Sequence, residues 1–390
     1  MITRAAQGTL LRLAKGFPIL AISGPRQTGK TTLARATFPD KPYLSLEDPD
    51  IRLLAEEDPR GLLARYSKGA ILDEVQRVPP LLSYLQTLVD ADMTPGAFIL
   101  TGSHQLDLNA TLTQSLAGRV GILHLLPFAL GELQTANRPI GTLDELLWRG
   151  LYPPLHDRDM TPGDWYSAYV TTFLERDLRQ ILAIRDLSAF QRFIRMCAAR
   201  VGQLLNLSSL ATDCGITYHT AGAWLSVLEA SHLVFLLRPH HSNFNKRLVK
   251  TPKLYFNDTG LAAWLLGIRE VSQMAFHPAR GALFENLVIM ECMKARYFLG
   301  QPPDLYFWRD SAGLEVDLLR ITDGQLHPIE IKSGQTLAKD FFDGLHRWTR
   351  LAGQTMPNPW LVYGGDQEFQ RDAIEIIPWS RLPHRLEAGV

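Results

Sequence analysis

The eight residues "GPRQTGKT", positions 24 to 31, stand between the apolar run "FPILAIS" and the helix-like "TTLARATF". They constrain the fold of this chain more than any other stretch. The spacing Gly24, Gly29, Lys30, Thr31 satisfies G-x-x-x-x-G-K-[ST] in full, and strand, loop and helix follow one another as a phosphate-cradling loop requires. The chemistry explains the residue types. Glycines let the backbone wrap closely round a triphosphate, and loop amides together with a helix N-terminus aim positive dipole at it. Gly24, Pro25, Arg26, Gln27, Thr28, Gly29, Lys30, Thr31 and Thr32 are thus the expected nucleotide-binding set. Lys30 would reach the β and γ phosphates, and Thr31 would ligate Mg²⁺. ATP and Mg²⁺ are the expected cofactors.

A hydrolase needs more than a cradle. "GAILDEVQRVP" supplies an apolar strand ending in Asp73 and Glu74. The aspartate is placed to hold Mg²⁺, and the glutamate to polarise an attacking water. Another strand-like run, "PYLSLED", lies between this strand and the phosphate loop, an order that favours an ATPase over a small-molecule kinase. The next apolar strand, "GAFILTGSHQ", ends in Thr101 and Ser103. Ser103 is either a γ-phosphate sensor or a polar strand terminus. Arg119, directly before the strand-like "VGILHLL", is either a transition-state arginine, acting in cis or from a neighbouring subunit, or a surface residue.

"GPRQTGKTTL", "LSLEDPD", "ILDEVQ", "ILTGS" and "LAGR", with "FLERDLRQI" and "RGALFENLVIMEC" further on, resemble prokaryotic AAA-superfamily ATPases of the AAA_14 type that carry a DUF4143 C-terminal region. The resemblance spans nearly the whole chain. It implies an α/β ATPase core with a five-stranded parallel sheet working as a homo-oligomer, such as a hexameric ring.

The middle of the chain reads differently. "LLNLSSLATDCGITYHTAGAWLSVLEAS" has the layout of a helix-turn-helix, with Ser208 or Ser209 as cap and Trp224 on the apolar stripe. A strand-like "HLVFLLRP" and the basic stretch beyond it suggest a two-stranded wing. From Arg238 to Lys253 there are five basic residues and no acidic one. Tyr218, His219, Lys246, Arg247, Lys250 and Lys253 are the expected DNA contacts. With 40 basic and 40 acidic side chains the net charge is zero, so any polyanion must be held by local patches.

The last part reads as mixed α/β. On the strand-like "HPIEIKSG", Glu330 and Lys332 share a face by the two-residue period of a strand. Asp317 lies on the preceding strand and Glu285 on a helix. Oxygen ligands beside a lysine suit Mg²⁺ or Mn²⁺. The order Glu285, Asp317, Glu330, Lys332 is similar to the PD-(D/E)xK nuclease family. That likeness implies metal binding by Asp317 and Glu330, support from Glu285 and water orientation by Lys332, with Glu315 an alternative ligand.

The three cysteines, Cys197, Cys214 and Cys292, form no C-x-x-C pair, which argues against a structural zinc or disulfide framework. No apolar run approaches the roughly 20 residues of a membrane span, so a cytoplasmic protein without a membrane partner is expected. The expected division is an AAA-type ATPase domain at 1–150, a helical and winged-helix domain at 151–275 and a nuclease-like domain at 276–390. The expected function is ATP-driven handling of DNA, branched DNA in repair or recombination being the attractive substrate. The alternative is an ATP-controlled regulatory or defence switch acting on a protein partner.

Overall fold

The computed structural model describes residues 2–102, 116–158, 160–177, 186–240, 249–352 and 358–388. Ser103, Lys246 and Arg247, singled out above, lie outside the described residues. The chain forms two compact units. The first comprises Met1–Phe128, Ala230–Leu233 and Arg296–Pro302, and the second Ala129–Glu229, Val234–Ala295 and Pro303–Val390.

The first unit is an α/β layer built on five parallel strands in the order β2-β3-β4-β1-β5. These are β1 Ile19–Ser23, β2 Tyr43–Ser45, β3 Ile71–Asp73, β4 Phe98–Gly102 and β5 Val120–His124. β1 and β4 are buried along their whole length, which is why they read as continuous apolar runs without alternation. Helix α1, Gln7–Leu13, precedes β1, and α2, Lys30–Thr37, follows the phosphate loop. Helix α3, Leu81–Ala91, buries Leu81, Leu82, Leu85 and Val89 against the sheet. Each such side chain contributes roughly 1.5–3 kcal/mol when fully removed from water.

Two segments from far along the sequence complete this unit. In the segment 296–302, Tyr297 packs at 4.9 Å from the His124 ring, Phe298 lies under the Arg4 guanidinium at 5.5 Å, and Leu299 accepts a 2.7 Å hydrogen bond from Arg12. In the segment 230–233, His232 meets the end of β1.

The second unit holds an eight-stranded mixed sheet in the order β12-β13-β11-β10-β9-β8-β6-β7. Its strands are β6 Val234–Pro239, β7 Lys253–Phe256, β8 Leu305–Arg309, β9 Glu315–Thr322, β10 Gln325–Lys332, β11 Trp360–Tyr363, β12 Phe369–Arg371 and β13 Ile374–Pro378. β6 pairs antiparallel with β7 and also parallel with β8. The two strands therefore extend the C-terminal sheet. That pairing, and the return of 230–233 and 296–302 to the first unit, make the compact units non-contiguous in sequence.

Helix α4, Leu187–Ala198, precedes the helix pair α5, Leu207–Cys214, and α6, Tyr218–Ala230. Gly215 at φ 69° forms the turn after α5, a left-handed position that glycine takes without strain. The cap of α5 is Asn206, which accepts from Ser209 N at 2.9 Å. Ser208 and Ser209 lie inside the helix, because the Asx side chain one turn earlier already satisfies the free amide. Trp224 is core, edge-on to Phe190 and Phe193 at 5.2 and 5.4 Å. Helix α7, Arg280–Phe298, carries Glu285, and α8, Asp343–Ala352, follows β10. Cys197, Cys214 and Cys292 are buried free thiols. Among the described residues no helix is long and apolar enough to cross a membrane.

Candidate functional site

Gly24 begins the loop where β1 ends. At φ 152°, with an added Cβ only 2.1 Å from the Leu125 carbonyl oxygen, the position admits glycine alone. Gln27 takes φ 63°, and Gly29 at φ 88° caps α2. Thr28 is fully buried and donates its hydroxyl to Pro25 O at 2.9 Å, closing the loop on itself. Arg4, which the sequence reading passed over, donates to Thr28 O and Leu126 O, both at 2.7 Å. It braces the loop from the N-terminal segment.

Lys30 is buried and donates to Gly24 O at 3.0 Å and Pro25 O at 2.7 Å. Burial pulls its ammonium down to about 8, against Glu74 and Asp73, which hold it up. A phosphate would take over these hydrogen bonds and offset the desolvation.

Asp73 is the centre of the acidic end. Its Oδ1 accepts from Thr31 at 2.8 Å and from Thr101, and its Oδ2 accepts from the Tyr43 hydroxyl at 2.8 Å. Thr31 and Asp73 therefore stand side by side at the start of α2, and their hydroxyl and carboxylate oxygens suit a hard cation. When bound there, Mg²⁺ would neutralise phosphate charge. Glu74, one residue beyond the strand, sits at φ 57°, a conformation that is uncommon for a non-glycine residue and found at functional sites. Its carboxylate accepts from Gln76, and its amide donates to Thr101 Oγ1 at 3.3 Å. Thr101 thus links Asp73 and Glu74, a polar strand end whose partners only the fold reveals. Arg26 reaches Glu47 at 3.5 Å.

Arg119 lies elsewhere. Its carbonyl pairs with Ile19 N, at the opening of β1, whereas the loop leaves the other end. Four residues of strand separate them by about 13 Å. In a parallel sheet the residue before a strand faces away from the phosphate edge, so Arg119 takes no part in cis. It is ion-paired with Asp90.

In the second unit strands β9 and β10 bring Asp317, Glu330 and Lys332 together, with Glu285 on α7 close enough to feel the charge of Asp317. The β9 and β10 register, ending at Ile329 opposite Leu318, sets Glu330 beside Asp317. Lys332 Nζ is 2.5 Å from Glu330 Oε1 and 3.6 Å from Asp317 Oδ2, while Asp317 Oδ2 also accepts from Ile331 N at 2.8 Å. Burial, and then the neighbouring Asp317, push both Glu285 and Glu330 up from the usual carboxylate range. Glu330 Oε2 is buried without a hydrogen-bond partner.

The hydrogen bonds of Glu285 run to Lys253 and Tyr255: it accepts from Lys253 Nζ at 3.0 Å and from the Tyr255 hydroxyl. Lys253 also pairs with Glu315 at 2.5 Å, and Arg309 meets the same carboxylate at 3.0 Å. Lys253 is 4% exposed, so its expected role as a DNA contact is corrected: strand β7 is buried along its length, and its lysine serves as an internal counter-ion. Among the described residues no group of three His, Cys, Asp or Glu could hold a metal ion. The three-carboxylate metal grip does not fit this arrangement, because the ammonium of Lys253 occupies the side facing Glu285. Of the other expected DNA contacts, Tyr218, His219 and Lys250 are exposed.

Comparisons with known proteins agree with the first unit's geometry. Residues 16–134 match the family described as "AAA domain", residues 140–272 a domain of unknown function (DUF8612) and residues 280–382 a domain of unknown function (DUF4143). The uncharacterized proteins Rv2008c of Mycobacterium tuberculosis and Mb2031c of Mycobacterium bovis are each 33% identical over 389 residues, covering 97% of this chain and 84% of theirs. Among solved structures, the Walker-type ATPase PABY2304 of Pyrococcus abyssi aligns with a TM-score of 0.47 and 16% identity, covering 68% of this chain and 96% of that one. AMPPCP-bound DnaA from Aquifex aeolicus aligns with a TM-score of 0.29 and 15% identity, covering 57% and 85%. These structural likenesses are distant, and the site assignment rests on the geometry above.

Proposed function

The chain belongs to the family of Rv2008c and Mb2031c, with an AAA-type P-loop ATPase domain followed by a DUF4143 region, and from that premise we propose that it couples ATP hydrolysis to the binding of DNA. The observation that carries the ATPase half is the network joining Thr31, Asp73, Thr101 and the amide of Glu74. In this reading Thr31 and Asp73 hold Mg²⁺ and Glu74 polarises the attacking water at the end of the phosphate loop, with Lys30 supplying the positive charge. In-line attack on a γ-phosphate is mainly a matter of such positioning.

The DNA half is supported by exposed Tyr218 and His219 at the start of α6, with Lys250 and Arg238 also in solvent. An aromatic, an imidazole and two cations are suited to phosphate and base contacts. Branched DNA is the substrate we favour, and a homo-oligomer, such as a hexameric ring, is the form in which Arg119 could act in trans. The DUF4143 region recognises the DNA in this reading.

A second reading is favoured by Lys253. The carboxylates of the last domain are already paired inside the protein, as expected of a binding module in an ATP-controlled switch that acts on a protein partner.

One experiment separates the two. The purified chain is mixed with forked, four-way and linear DNA and Mg²⁺, with and without ATP, alongside Lys30→Ala and Asp317→Ala. ATP turnover stimulated by DNA, with affinity that falls steeply with salt, is the expected result. Turnover indifferent to every DNA would leave the switch, and Mg²⁺-dependent cleavage abolished by Asp317→Ala would restore the nuclease assignment.

A further inference from the structure

His232 belongs to the first unit although it lies more than 200 residues from the phosphate loop in sequence. It is buried, takes φ 53°, and its Nε2 is 3.2 Å from Ser23 Oγ. A left-handed histidine is uncommon and needs surrounding contacts to hold it. Ser23 is the last residue of β1 and immediately precedes Gly24.

The neighbourhood of this strand end is polar. Ser23 pairs in register with His124 of β5, and Leu125 N donates to Ser23 O at 2.7 Å. The His124 and His232 rings are 5.8 Å apart, and Nδ1 of His124 is buried without a hydrogen-bond partner. Burial holds both imidazoles in the neutral form, and the Lys30 ammonium lies close enough to depress His232 further.

The path to the phosphate is short. His232 bonds Ser23, Ser23 is joined to Gly24, and Gly24 O accepts from Lys30 Nζ at 3.0 Å. When a γ-phosphate draws the lysine away from Gly24 O and Pro25 O, the start of the loop leans more on the bonds it keeps, among them that of His232 to Ser23. ADP makes a weaker demand on the lysine. The bond from His232 therefore bears differently on the two nucleotide states, which is the requirement for shifting a preference between them.

We propose that His232 is a positioning residue of the nucleotide site, whose hydrogen bond to Ser23 sets the preference of the phosphate loop between ATP and ADP. His232 sits in the short link between α6 and β6. Movement of that link is thereby tied, through the chain itself, to which nucleotide is held.

The inference rests on the first unit binding nucleotide, and the test keeps the two apart. Affinities of the full-length chain for ADP and ATPγS are measured by calorimetry for the wild type, His232→Phe, His232→Gln, Ser23→Ala and the Phe/Ala double variant. Lys30→Ala should sharply weaken binding of both nucleotides, and its failure to do so would remove the ATPase reading itself. The ratio of the two affinities should shift roughly three- to tenfold in His232→Phe and in Ser23→Ala, the range expected for one lost hydrogen bond. The double variant should add nothing further, and His232→Gln, whose amide can still bond Ser23, should restore the ratio. Equal weakening of both nucleotides, or independent addition of the two changes, would overturn the proposal. Should His232→Phe fail to fold, the wild-type imidazole resonances of His232 must move when ADP is exchanged for ATPγS. Their indifference would be equally fatal.

Discussion

The two charged centres of this protein solve the problem of buried charge in opposite ways. At the phosphate loop a single buried ammonium, Lys30, is bonded only to backbone carbonyls, without a carboxylate in contact among the described residues. In the second unit Glu285, Glu315, Asp317 and Glu330 are met by Lys253, Arg309 and Lys332 from the same chain. The first centre gains from an external ligand, while the second is largely complete without one. A cluster of ionisable side chains is therefore weak evidence of a site until its internal counter-ions are known.

The largest effect that would test this contrast is expected from Lys253→Met. Removing the ammonium leaves Glu285 and Glu315 without their buried partner, at a cost of about 3–5 kcal/mol in unfolding stability, read from urea melts. A variant as stable as the wild type would show that Lys253 is not an internal counter-ion. Lys30→Ala should do the reverse, leaving the fold intact and lowering ATP turnover about 10²- to 10³-fold, as measured by phosphate release.

A smaller effect concerns acid. His124 and His232 are held at about 4 and about 3, below the ordinary histidine value of about 6.5, so the unfolded chain takes up their protons first. Their contribution to stability is present above pH 6.5 and declines as the pH falls toward those values. At pH 5 each should have lost about 2 kcal/mol, seen as faster hydrogen exchange in β1 and β5. His124→Phe should flatten that profile. The smallest change is expected at Arg119. Its pair with Asp90 is exposed and screened by solvent, so Arg119→Ala should leave the melting curve and monomer nucleotide affinity nearly unchanged. A turnover loss confined to conditions of self-association would assign it a role in trans.

How much of this was legible in the sequence follows from how local each feature is. The phosphate loop, Asp73 and Glu74 are read directly, because strand, loop and helix enforce their spacing within one βα unit. Glu330, Lys332 and Asp317 follow from strand period and hairpin register. Lys253, Tyr43, Thr101 and His232 acquire their partners only through pairings that join distant segments, and nothing in their neighbourhoods names those partners. Lys253 did leave one signal, since it opens the apolar strand "KLYF", which does not suit a solvated phosphate contact. Arg119 was readable too: a residue preceding a strand of a parallel sheet lies at the edge opposite the phosphate loop. Ser208 and Ser209 were displaced as caps by Asn206, the residue that the backbone geometry of α5 selects.

The segments 230–233 and 296–302 have a consequence for how the protein comes into being. The five strands of the nucleotide-binding sheet are encoded by the first 124 residues, yet the partners of Ser23, His124, Arg4 and Arg12 arrive only as His232, Tyr297, Phe298 and Leu299 are translated. At about 5–20 residues per second, the nascent sheet waits roughly ten seconds or more with those surfaces uncovered. The nascent chain should therefore reach full nucleotide affinity only after most of the polypeptide has left the ribosome.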